Sequence, residues 1–288
     1  MATPAKYALY HGCLIPARAP FLERATKLVL ADMGIGVEDL KGTSCCVDPI
    51  TLRSTSEAAW AVLGARNISL AEERGLPLLS QCNGCFSNLN EANVMLQGDA
   101  ELRGAVNEQL AAVGRTFKGT VGVHHLVGVL RDAGEERVRS LVKRPLAGWR
   151  VASEPGCHLT RPSEYSPFPD ARYPRVVEQL ASWAGASTVE YSDAIMCCGN
   201  VVRAIDAPVA DAMLSSLLKA ISDAGATHIV TPCPTCFVQL DMGQKEVLAV
   251  AGIPRPLPVL FVTEMLALAF GHDPSELGLK YHRVPVDI

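Results

Sequence analysis

Ten cysteines carry most of the chemistry that this sequence can perform, and they divide into two sets with the same order. Each set contains a single cysteine, then an adjacent pair, and then two cysteines in CxxC spacing. The first set is Cys13, Cys45, Cys46, Cys82 and Cys85, and the second is Cys157, Cys197, Cys198, Cys233 and Cys236. Free cysteine is often only a small buried apolar residue. That interpretation does not explain why all ten fall into two copies of one pattern.

A chain of this length does not need its cysteines to form stabilising disulfide bonds. A chain of 288 residues buries a substantial core without disulfides, as one large domain or as two smaller ones. Residues 1–10 lack the apolar run and the small-residue cleavage site of a secretory signal, so we expect a cytoplasmic protein. In that reducing compartment, CxxC spacing indicates metal binding or redox chemistry.

Composition excludes several other classes of protein. The formal net charge is -4 with acidic and basic residues interspersed, which argues against nucleic-acid binding. The longest apolar-rich run, residues 257–270, is interrupted by Pro258, Thr263 and Glu264, so we predict no integral membrane segment. No GxGxxG motif follows a predicted strand, so electrons must reach this chain from a partner.

Strands and helices are predicted to alternate around the cysteines. Short apolar runs predict strands at residues 7–10, 76–80, 149–153, 188–191 and 228–231, with helical periodicity between them. A last strand and helix are predicted within residues 259–270. Such alternation indicates parallel strands joined by crossover helices. In open sheets of this kind, ligands bind beyond the carboxyl ends of the strands. The cysteines fall at those ends in both halves of the chain.

The repeated pattern predicts an internal duplication. We expect an α/β fold with two similar Rossmann-like lobes, each a short parallel sheet flanked by helices, related by a pseudo-two-fold axis. The predicted lobes are residues 1–146 and 147–288. The first includes a connecting region, residues 99–146, that is predicted to be mostly helical. His124 and His125 lie there, and two adjacent residues on a helix point to different faces, so they form a poor metal pair.

The number of sulfur ligands separates three kinds of site. A structural zinc ion takes four ligands, and a thioredoxin-like dithiol needs only two cysteines. Each set here offers five. Iron–sulfur centres are held by thiolates, and a thiolate that bridges two irons allows a polynuclear centre to use a fifth. Ligand number therefore favours iron–sulfur, with zinc and a dithiol as the alternatives.

The complete pattern resembles the cysteine-rich CCG domain, duplicated as in the B subunit of heterodisulfide reductases. The resemblance covers nearly the whole chain and includes the tail, residues 271–288. It implies that each set holds one noncubane [4Fe-4S] cluster through its five cysteines. One departure is visible, because Gly199 follows the second adjacent pair whereas Val47 follows the first. Valine lacks the backbone freedom of glycine, so Val47 puts in question the function of the first site rather than its ligand count.

The resemblance also implies an activity and partners. The chain would be the catalytic subunit of an oxidoreductase complex that reduces or forms a disulfide at two clusters facing one cavity, by one-electron steps. Its partners would be a ferredoxin-like iron–sulfur subunit and a flavoprotein subunit, and its substrate a disulfide, thiol or persulfide. The alternatives are the CCG subunit of a bacterial sulfur-oxidising complex, the CCG subunit of a quinone- or thiol-linked succinate–fumarate oxidoreductase, and a non-catalytic electron-transfer subunit.

Disulfide reduction consumes protons, and two histidines lie beside cysteines. His158 directly follows Cys157 and is a candidate proton donor, because the ordinary pKa of histidine suits transfer near neutrality. The alternative is that His158 donates a hydrogen bond to a cluster sulfur or a carbonyl and tunes the reduction potential. His11, just before Cys13, is a second candidate donor.

Three arginines follow cysteines closely along the chain. They are Arg18, Arg161 and Arg203. A guanidinium group binds carboxylate or phosphate through paired hydrogen bonds. These arginines are therefore candidates for binding an anionic substrate, and the alternative for each is an ordinary solvated surface arginine.

Overall fold

The computed structural model describes residues 6–47, 51–192 and 194–286. The strands in these ranges are β1 Lys6–Tyr10, β2 Gly36–Asp39, β3 Leu78–Ser80, β4 Val123–His125, β5 Arg150–Ser153, β6 Ser187–Val189, β7 His228–Thr231 and β8 Val259–Phe261. The α-helices are α1 Leu14–Arg18, α2 Pro20–Met33, α3 Thr51–Thr55, α4 Glu57–Arg74, α5 Asn83–Gly98, α6 Ala100–Ala111, α7 Leu126–Asp132, α8 Glu135–Leu141, α9 Val176–Trp183, α10 Asn200–Arg203, α11 Ala207–Asp223, α12 Pro234–Ala251 and α13 Val262–Phe270. Short 3-10 turns lie at Cys157–Leu159, Ser163–Tyr165 and Leu279–Tyr281.

The strands form two parallel sheets of four strands with the same order. The first sheet is β2-β1-β3-β4, and the second is β6-β5-β7-β8. Leu9 of β1 pairs with Leu79 of β3, and Ala152 of β5 pairs with Ile229 of β7. Helices cross between neighbouring strands, as parallel pairing requires. The prediction of a duplicated α/β fold with short parallel sheets is confirmed.

The inner strands are buried because helices cover both faces of each sheet. Every residue of β3 and β7 is buried, β1 is buried from Tyr7 onward and β5 from Val151 onward. The edge strand β8 is buried as well. The outer strands β2 and β6 are only partly buried. The two sheets are enclosed in one continuous apolar core, which leaves the loops beyond their carboxyl ends free to carry chemistry.

The segment at His124 is a strand, and the prediction of a helix there was wrong. His124 pairs with Leu79 as part of β4, the fourth strand of the first sheet. Three residues are too few to show the alternation of a strand, and α7 begins directly afterwards. His125 Nδ1 accepts a hydrogen bond from the backbone N–H of Val127 at 3.2 Å, so this histidine caps α7 rather than binding a metal.

The two lobes pack through two equivalent contacts, each between one helix of the first lobe and one helix of the second. Helix α2 of the first lobe lies against α13 of the second, and α9 of the second lies against α7 of the first. In each pair, one helix follows the first strand of its lobe and the other follows the last. Such reciprocal packing is what a pseudo-two-fold axis produces. Buried Thr26 and Thr263 meet in the first contact, with their Oγ1 atoms 3.1 Å apart.

Connecting and terminal segments complete the fold. The proposed division between residues 146 and 147 lies between α8 and β5. The tail is anchored by Asp241 of α12, which accepts hydrogen bonds from the backbone N–H groups of Arg283 at 2.8 Å and Val284 at 3.0 Å. Within the described ranges, the helices are all too short or too polar to cross a membrane.

Candidate metal centre

Four cysteines lie directly beyond the carboxyl ends of inner strands. Cys13 follows β1 and Cys82 follows β3, and they are the N-cap residues of α1 and α5. Cys233 follows β7 and is the N-cap residue of α12, while Cys157 begins the turn after β5. The first turn of a helix has unpaired N–H groups and a partial positive charge. At Cys233 the pKa is lowered well below its ordinary value, first by hydrogen bonds from Cys236 and Cys82 and then by the backbone N–H groups of Cys236 and Thr235. The pKa of Cys82 is instead raised, mainly by its hydrogen bond to Cys233.

All ten cysteines line a single cavity of about 400 Å³ between the two lobes. The two adjacent pairs reach the cavity from the loops that follow β2 and β6. Cys13 and Cys45 are exposed to solvent, whereas Cys233 and Cys236 are buried. The cavity therefore extends from the protein surface to the core. None of the ten cysteines forms a disulfide.

The first set forms a connected group of sulfur atoms. The distance from Cys46 Sγ to Cys85 Sγ is 3.2 Å, and that from Cys45 Sγ to Cys13 Sγ is 3.8 Å. Cys85 is also hydrogen-bonded to Cys82. Hydrogen bonds from Cys45 and Cys85 lower the pKa of Cys46 to about 4. Cys46 is therefore a thiolate at neutral pH, and the thiols joined to it can each release a proton to solvent on binding a metal.

The second set is arranged in the same way. Cys197 accepts hydrogen bonds from Cys157 and Cys198, which lower its pKa to about 2. Cys236 is hydrogen-bonded to Cys198 and Cys233. Each lobe thus concentrates five soft sulfur ligands around at least one thiolate, and ligands of this kind select zinc or iron–sulfur centres. The count of five fits a polynuclear iron–sulfur centre better than a four-coordinate zinc ion.

Glycine makes room for the sulfur atoms at the same position in both lobes. Gly12 and Gly156 precede Cys13 and Cys157 and adopt the left-handed conformation, with φ of 68° and 72°. A Cβ atom on Gly12 would lie 3.0 Å from Cys85 Sγ. A Cβ atom on Gly156 would lie 3.3 Å from Cys236 Sγ and 2.5 Å from the amide nitrogen of Asn83. A larger residue would therefore displace a proposed ligand.

Val47 adopts the conformation that glycine provides in the other lobe. Its φ is 66°, against 84° for Gly199. Positive φ is a genuine outlier for a β-branched residue. The side chain of Asn88 donates hydrogen bonds to the carbonyl oxygens of Cys46 and Val47 and so holds this turn in place. The departure that the sequence shows at Val47 therefore leaves the backbone path unchanged and stores strain at that residue.

Comparison with known proteins assigns this pair of lobes to a family. The model of the CCG cysteine-rich domain matches residues 7–90 and 151–241. The chain is 38% identical over 283 residues to the B subunit of the ferredoxin/F(420)H(2)-dependent CoB-CoM heterodisulfide reductase of Methanosarcina acetivorans, covering 97% of this chain and 94% of the relative. It belongs to the family of heterodisulfide reductase B subunits.

Other relatives extend this family beyond one organism. A protein of Archaeoglobus profundus that is named as similar to the heterodisulfide reductase B subunit is 34% identical, over 95% of this chain and 93% of its own length. The membrane anchor subunit of an 8-methylmenaquinol:fumarate reductase of Wolinella succinogenes is 31% identical, over 96% of each chain. A crystal structure of a hypothetical protein from Helicobacter pylori has the same fold, with a TM-score of 0.74 at 17% identity. It aligns with 99% of this chain, which spans about half of that protein, 53%.

The two predicted histidines of this heterodisulfide reductase relative both line the cavity. His158 is partly buried, and its Nδ1 atom has no hydrogen-bond partner among the described residues. Both roles proposed for His158, proton donor and hydrogen-bond donor to a sulfur, need a ring nitrogen that is free in this way. A protonated His158 would also help to lower the pKa of Cys197, after the hydrogen bonds from Cys157, Cys198 and the backbone N–H of Gly199.

His11 is held by acidic groups on the other side of the cavity. Its Nε2 lies 3.0 Å from Asp39 and its Nδ1 lies 3.3 Å from Glu23. The ammonium group of Lys27 lies 2.7 Å from Glu23 and 2.8 Å from Asp39. The group of His11, Glu23 and Asp39 therefore already holds an ammonium, which offsets one of its two carboxylate charges. It fixes the orientation of His11 beside Cys13.

The structure keeps the three predicted arginines away from the cavity. Arg18 lies in a separate groove on the surface. Arg161 donates a hydrogen bond to the carbonyl oxygen of Ile195 at 3.2 Å. Arg203 is paired with Asp211 and donates a hydrogen bond to Gln239. The positions of these side chains do not support a role in binding an anion beside the cysteines.

A buried carboxyl group behind the second set was not foreseen. Glu154 directly follows β5 and is fully buried, and its Oε1 atom has no partner within the described residues. Tyr191 donates hydrogen bonds to Glu154 Oε2 at 3.3 Å and to the carbonyl oxygen of Ser153 at 2.6 Å. Burial raises the pKa of Glu154 well above its ordinary value, and the nearby thiolates Cys197 and Cys233 raise it further. Its position three residues before Cys157 was the one available signal, and burial cannot be read from it.

Three polar residues of α5 were also missed by sequence reasoning. They connect the first CxxC segment to the loop that carries Cys157. Asn83 donates a hydrogen bond to the carbonyl oxygen of Pro155 at 2.7 Å. Ser87 reaches the carbonyl of Arg161 at 2.9 Å, and Asn90 that of Tyr165 at 2.6 Å. Their spacing along one face of the helix was the available signal, but their partners lie in the other lobe.

Proposed function

We propose that this chain is the iron–sulfur subunit at which a heterodisulfide reductase-like complex reduces a disulfide, or forms one in the reverse direction, by one-electron steps. The observation that carries this proposal is the single cavity to which both sets of five cysteines contribute sulfur. A relay that only passes electrons does not need two cluster sites that face one solvent-accessible cavity. This cavity opens to solvent at Cys13 and Cys45, which supports a substrate site.

Each lobe would hold one cluster. One would be bound by Cys13, Cys45, Cys46, Cys82 and Cys85, and the other by Cys157, Cys197, Cys198, Cys233 and Cys236. When bound, two noncubane [4Fe-4S] clusters supply one-electron redox chemistry on both sides of the cavity. The protein supplies thiolates at the ends of strands and glycines that leave room for sulfur.

The reaction balances with two electrons and two protons. The sulfur–sulfur bond of R–S–S–R′ breaks, and two thiols, R–SH and R′–SH, form. The cavity would hold the two substrate sulfurs between the cysteine sets, so that a half-reduced disulfide does not escape into solvent. His158 and His11 line opposite sides of the cavity and would each deliver a proton to one sulfur.

The electrons would come from other subunits. The related subunits in Methanosarcina acetivorans and Methanosarcina mazei are named for ferredoxin-linked reductases. We propose a ferredoxin-like iron–sulfur subunit and a flavoprotein subunit as the partners of this chain. The two cysteine sets would hold the clusters that supply this one-electron chemistry between the partner and the substrate.

Metal analysis and turnover together test this function. Protein purified without oxygen should contain about eight iron and eight acid-labile sulfide per chain. With a reduced viologen as the electron donor, it should convert a small organic disulfide into two thiols while two viologen radicals are oxidised. Zinc without sulfide, or a full complement of iron that reduces no disulfide, would contradict the proposal.

A further inference from the structure

A surface groove of about 640 Å³ lies between the start of α2 and the tail that follows α13. Three cations line it, Arg18, Arg24 and Lys280, and Glu276 is the one carboxylate that lines it among the described residues. Arg24 lies 3.9 Å from Glu276. Arg18 and Lys280 are exposed, and within the described part of the chain neither is paired with a carboxylate. The groove is therefore positively charged on a chain whose net charge is -4.

Aromatic side chains connect this basic groove to the second cysteine set. Tyr281 is 63% exposed and stacks on Phe21, with the two ring centroids 6.0 Å apart. Phe21 packs edge-on against Phe237 at 5.9 Å, and Phe237 directly follows Cys236. Helix α1, whose last residue lines the groove, begins directly after Cys13. A protein docked in the groove would therefore lie close to both proposed cluster sites.

The equivalent place in the other half of the fold is filled by the chain itself. There Phe86 packs edge-on against Phe168, with ring centroids 6.4 Å apart, and this pair corresponds to Phe237 and Phe21. Residues 159–166 are hydrogen-bonded to α5 over this contact, and only about 10 Å³ of free space remains. The matching connection in the first lobe contains little more than the short helix α1. The basic groove is thus open where the repeat closes its counterpart.

Charge and position together select an occupant for the groove. Exposed Arg18 and Lys280 attract carboxylates, and Tyr281 adds apolar area that a protein contact would bury. An electron crosses between proteins only over a short distance, so a donor must dock near a cluster site. We infer that the basic groove docks an acidic face of the protein that delivers electrons to this chain. The inference rests on the proposed function, to which it adds the docking surface and the charge of the partner.

Binding of an acidic iron–sulfur protein tests this inference without turnover. The probe is a small acidic [4Fe-4S] ferredoxin, titrated into the iron-loaded chain by calorimetry with oxygen excluded. Salt screens attraction between exposed charges, so the affinity should fall several-fold between about 50 and about 500 mM salt. The double variant Arg18→Glu/Lys280→Glu should raise Kd about tenfold, because it replaces two attractions by two repulsions.

The matched control is the double variant Lys118→Glu/Arg255→Glu, which also reverses one lysine and one arginine and so changes the net charge equally. Lys118 and Arg255 are exposed and precede β4 and β8, so they lie at the opposite ends of the strands from the cysteines. This control should bind the ferredoxin with the Kd of the parent chain.

Electron delivery gives a second measurement. Two reduced ferredoxin centres, each oxidised by one electron, supply the electrons that convert one disulfide and two protons into two thiols. With this donor, Arg18→Glu/Lys280→Glu should require about tenfold more ferredoxin for half-maximal thiol release. With reduced methyl viologen, which is small and needs no docking surface, the same variant should work at the parental rate and so prove to be folded and loaded with iron.

The outcomes separate the docking surface from the proposed function. An unchanged Kd in Arg18→Glu/Lys280→Glu, or an equal loss of rate with both donors, would overturn the inference and leave the function standing. Self-association of the parent chain that this variant abolishes, seen by light scattering, would also overturn it, because the occupant would be a second copy. Failure of the iron-loaded chain to reduce a disulfide with viologen would instead contradict the proposed function, while the calorimetric Kd would still decide the inference.

Discussion

The Cys82 thiol donates a hydrogen bond to the Cys233 thiolate across the boundary between the lobes, which raises the pKa of Cys82 and helps to lower that of Cys233. Each is the first cysteine of a CxxC segment, and each lies beyond the carboxyl end of an inner strand. The two proposed cluster sites therefore meet at this point. Two one-electron centres this close together can act on the two sulfur atoms of one disulfide, which two distant centres could not do.

Although Cys82 and Cys233 lie close together, they belong to different cluster sites, so replacing each one should remove a different cluster. Cys82→Ser should remove only the cluster of the first lobe, and Cys233→Ser only that of the second. Each variant should therefore fall from about eight to about four iron per chain. Both should lose disulfide reduction almost completely, because each lacks one of the two facing centres. Iron and sulfide analysis measures the loss of clusters, and thiol release measures the loss of disulfide reduction.

The control for these variants is Val250→Ser, a change at an exposed position of α12. It should retain iron and activity. A single-cluster variant that reduces disulfide at the parental rate would contradict the shared cavity.

The strain at Val47 predicts a gain of stability. Val47→Gly relieves a left-handed conformation that costs a side-chain-bearing residue about 1–2 kcal/mol, against about 0.5–1 kcal/mol for the greater freedom of glycine in the unfolded chain. The net expectation is stabilisation of about 0.5 kcal/mol, read from the midpoint of urea unfolding at constant slope. Val47→Ala keeps the Cβ atom and should give no such gain.

The reverse change in the other lobe should be harmful. Gly199→Val places a β-branched residue at φ of 84° and a Cβ atom 3.1 Å from the carbonyl oxygen of Ala210. Because that contact is with backbone, it cannot be relieved by a side-chain rotation. We expect a loss of about 2 kcal/mol or more in the free energy of unfolding. If Val47→Gly and Gly199→Val both changed the free energy of unfolding only slightly and to the same extent, strain could not be assigned to Val47.

Gly156 should tolerate no side chain. In Gly156→Ala, the new Cβ atom would meet the amide of Asn83 at 2.5 Å and Cys236 Sγ at 3.3 Å, at a residue with φ of 72°. We expect loss of iron from the second set and a decrease of about 2 kcal/mol or more in the free energy of unfolding. Gly114→Ala is the matched control, because Gly114 has φ of 66°, an open environment and no place in the cavity lining. Iron content and urea unfolding give the two measurements.

The buried carboxyl of Glu154 predicts a stability that falls with pH. Its pKa is raised in the folded state, so the unfolded chain releases this proton first as the pH rises above about 4.5. Folding then holds a proton that the unfolded state has lost, and stability decreases with pH by up to about 1.4 kcal/mol per unit. Glu154→Gln removes this dependence and should stabilise the protein most at high pH.

Urea unfolding at several pH values between about 5 and 8 tests this expectation. Glu190→Gln is the control, since Glu190 is exposed and paired with Arg175 at 3.0 Å. The effect of Glu190→Gln on the free energy of unfolding should not increase as the pH rises. A Glu154→Gln variant whose advantage shrinks as the pH rises would mean that the folded state holds Glu154 ionised.

Much of this site could be predicted from the sequence because short-range patterns encode it. CxxC spacing, the adjacent cysteines and the apolar runs before Cys82 and Cys233 indicate loops at the ends of parallel strands, and the repeat indicates two lobes. The prediction failed at His124, where a strand of three residues is too short to show its period. It also omitted β2, whose partly polar residues form an outer strand.

The tertiary structure alone decided how the two sets relate and what surrounds them. Cys82 and Cys233 are far apart in the chain and meet only because the two lobes pack reciprocally. Glu154 is buried, and Arg203 points away from the cavity, because of neighbours on distant segments. Spacing along a chain determines which residues can share a loop or a helix face. Burial, charge pairing and the contact between two lobes depend on long-range packing, which no local pattern records.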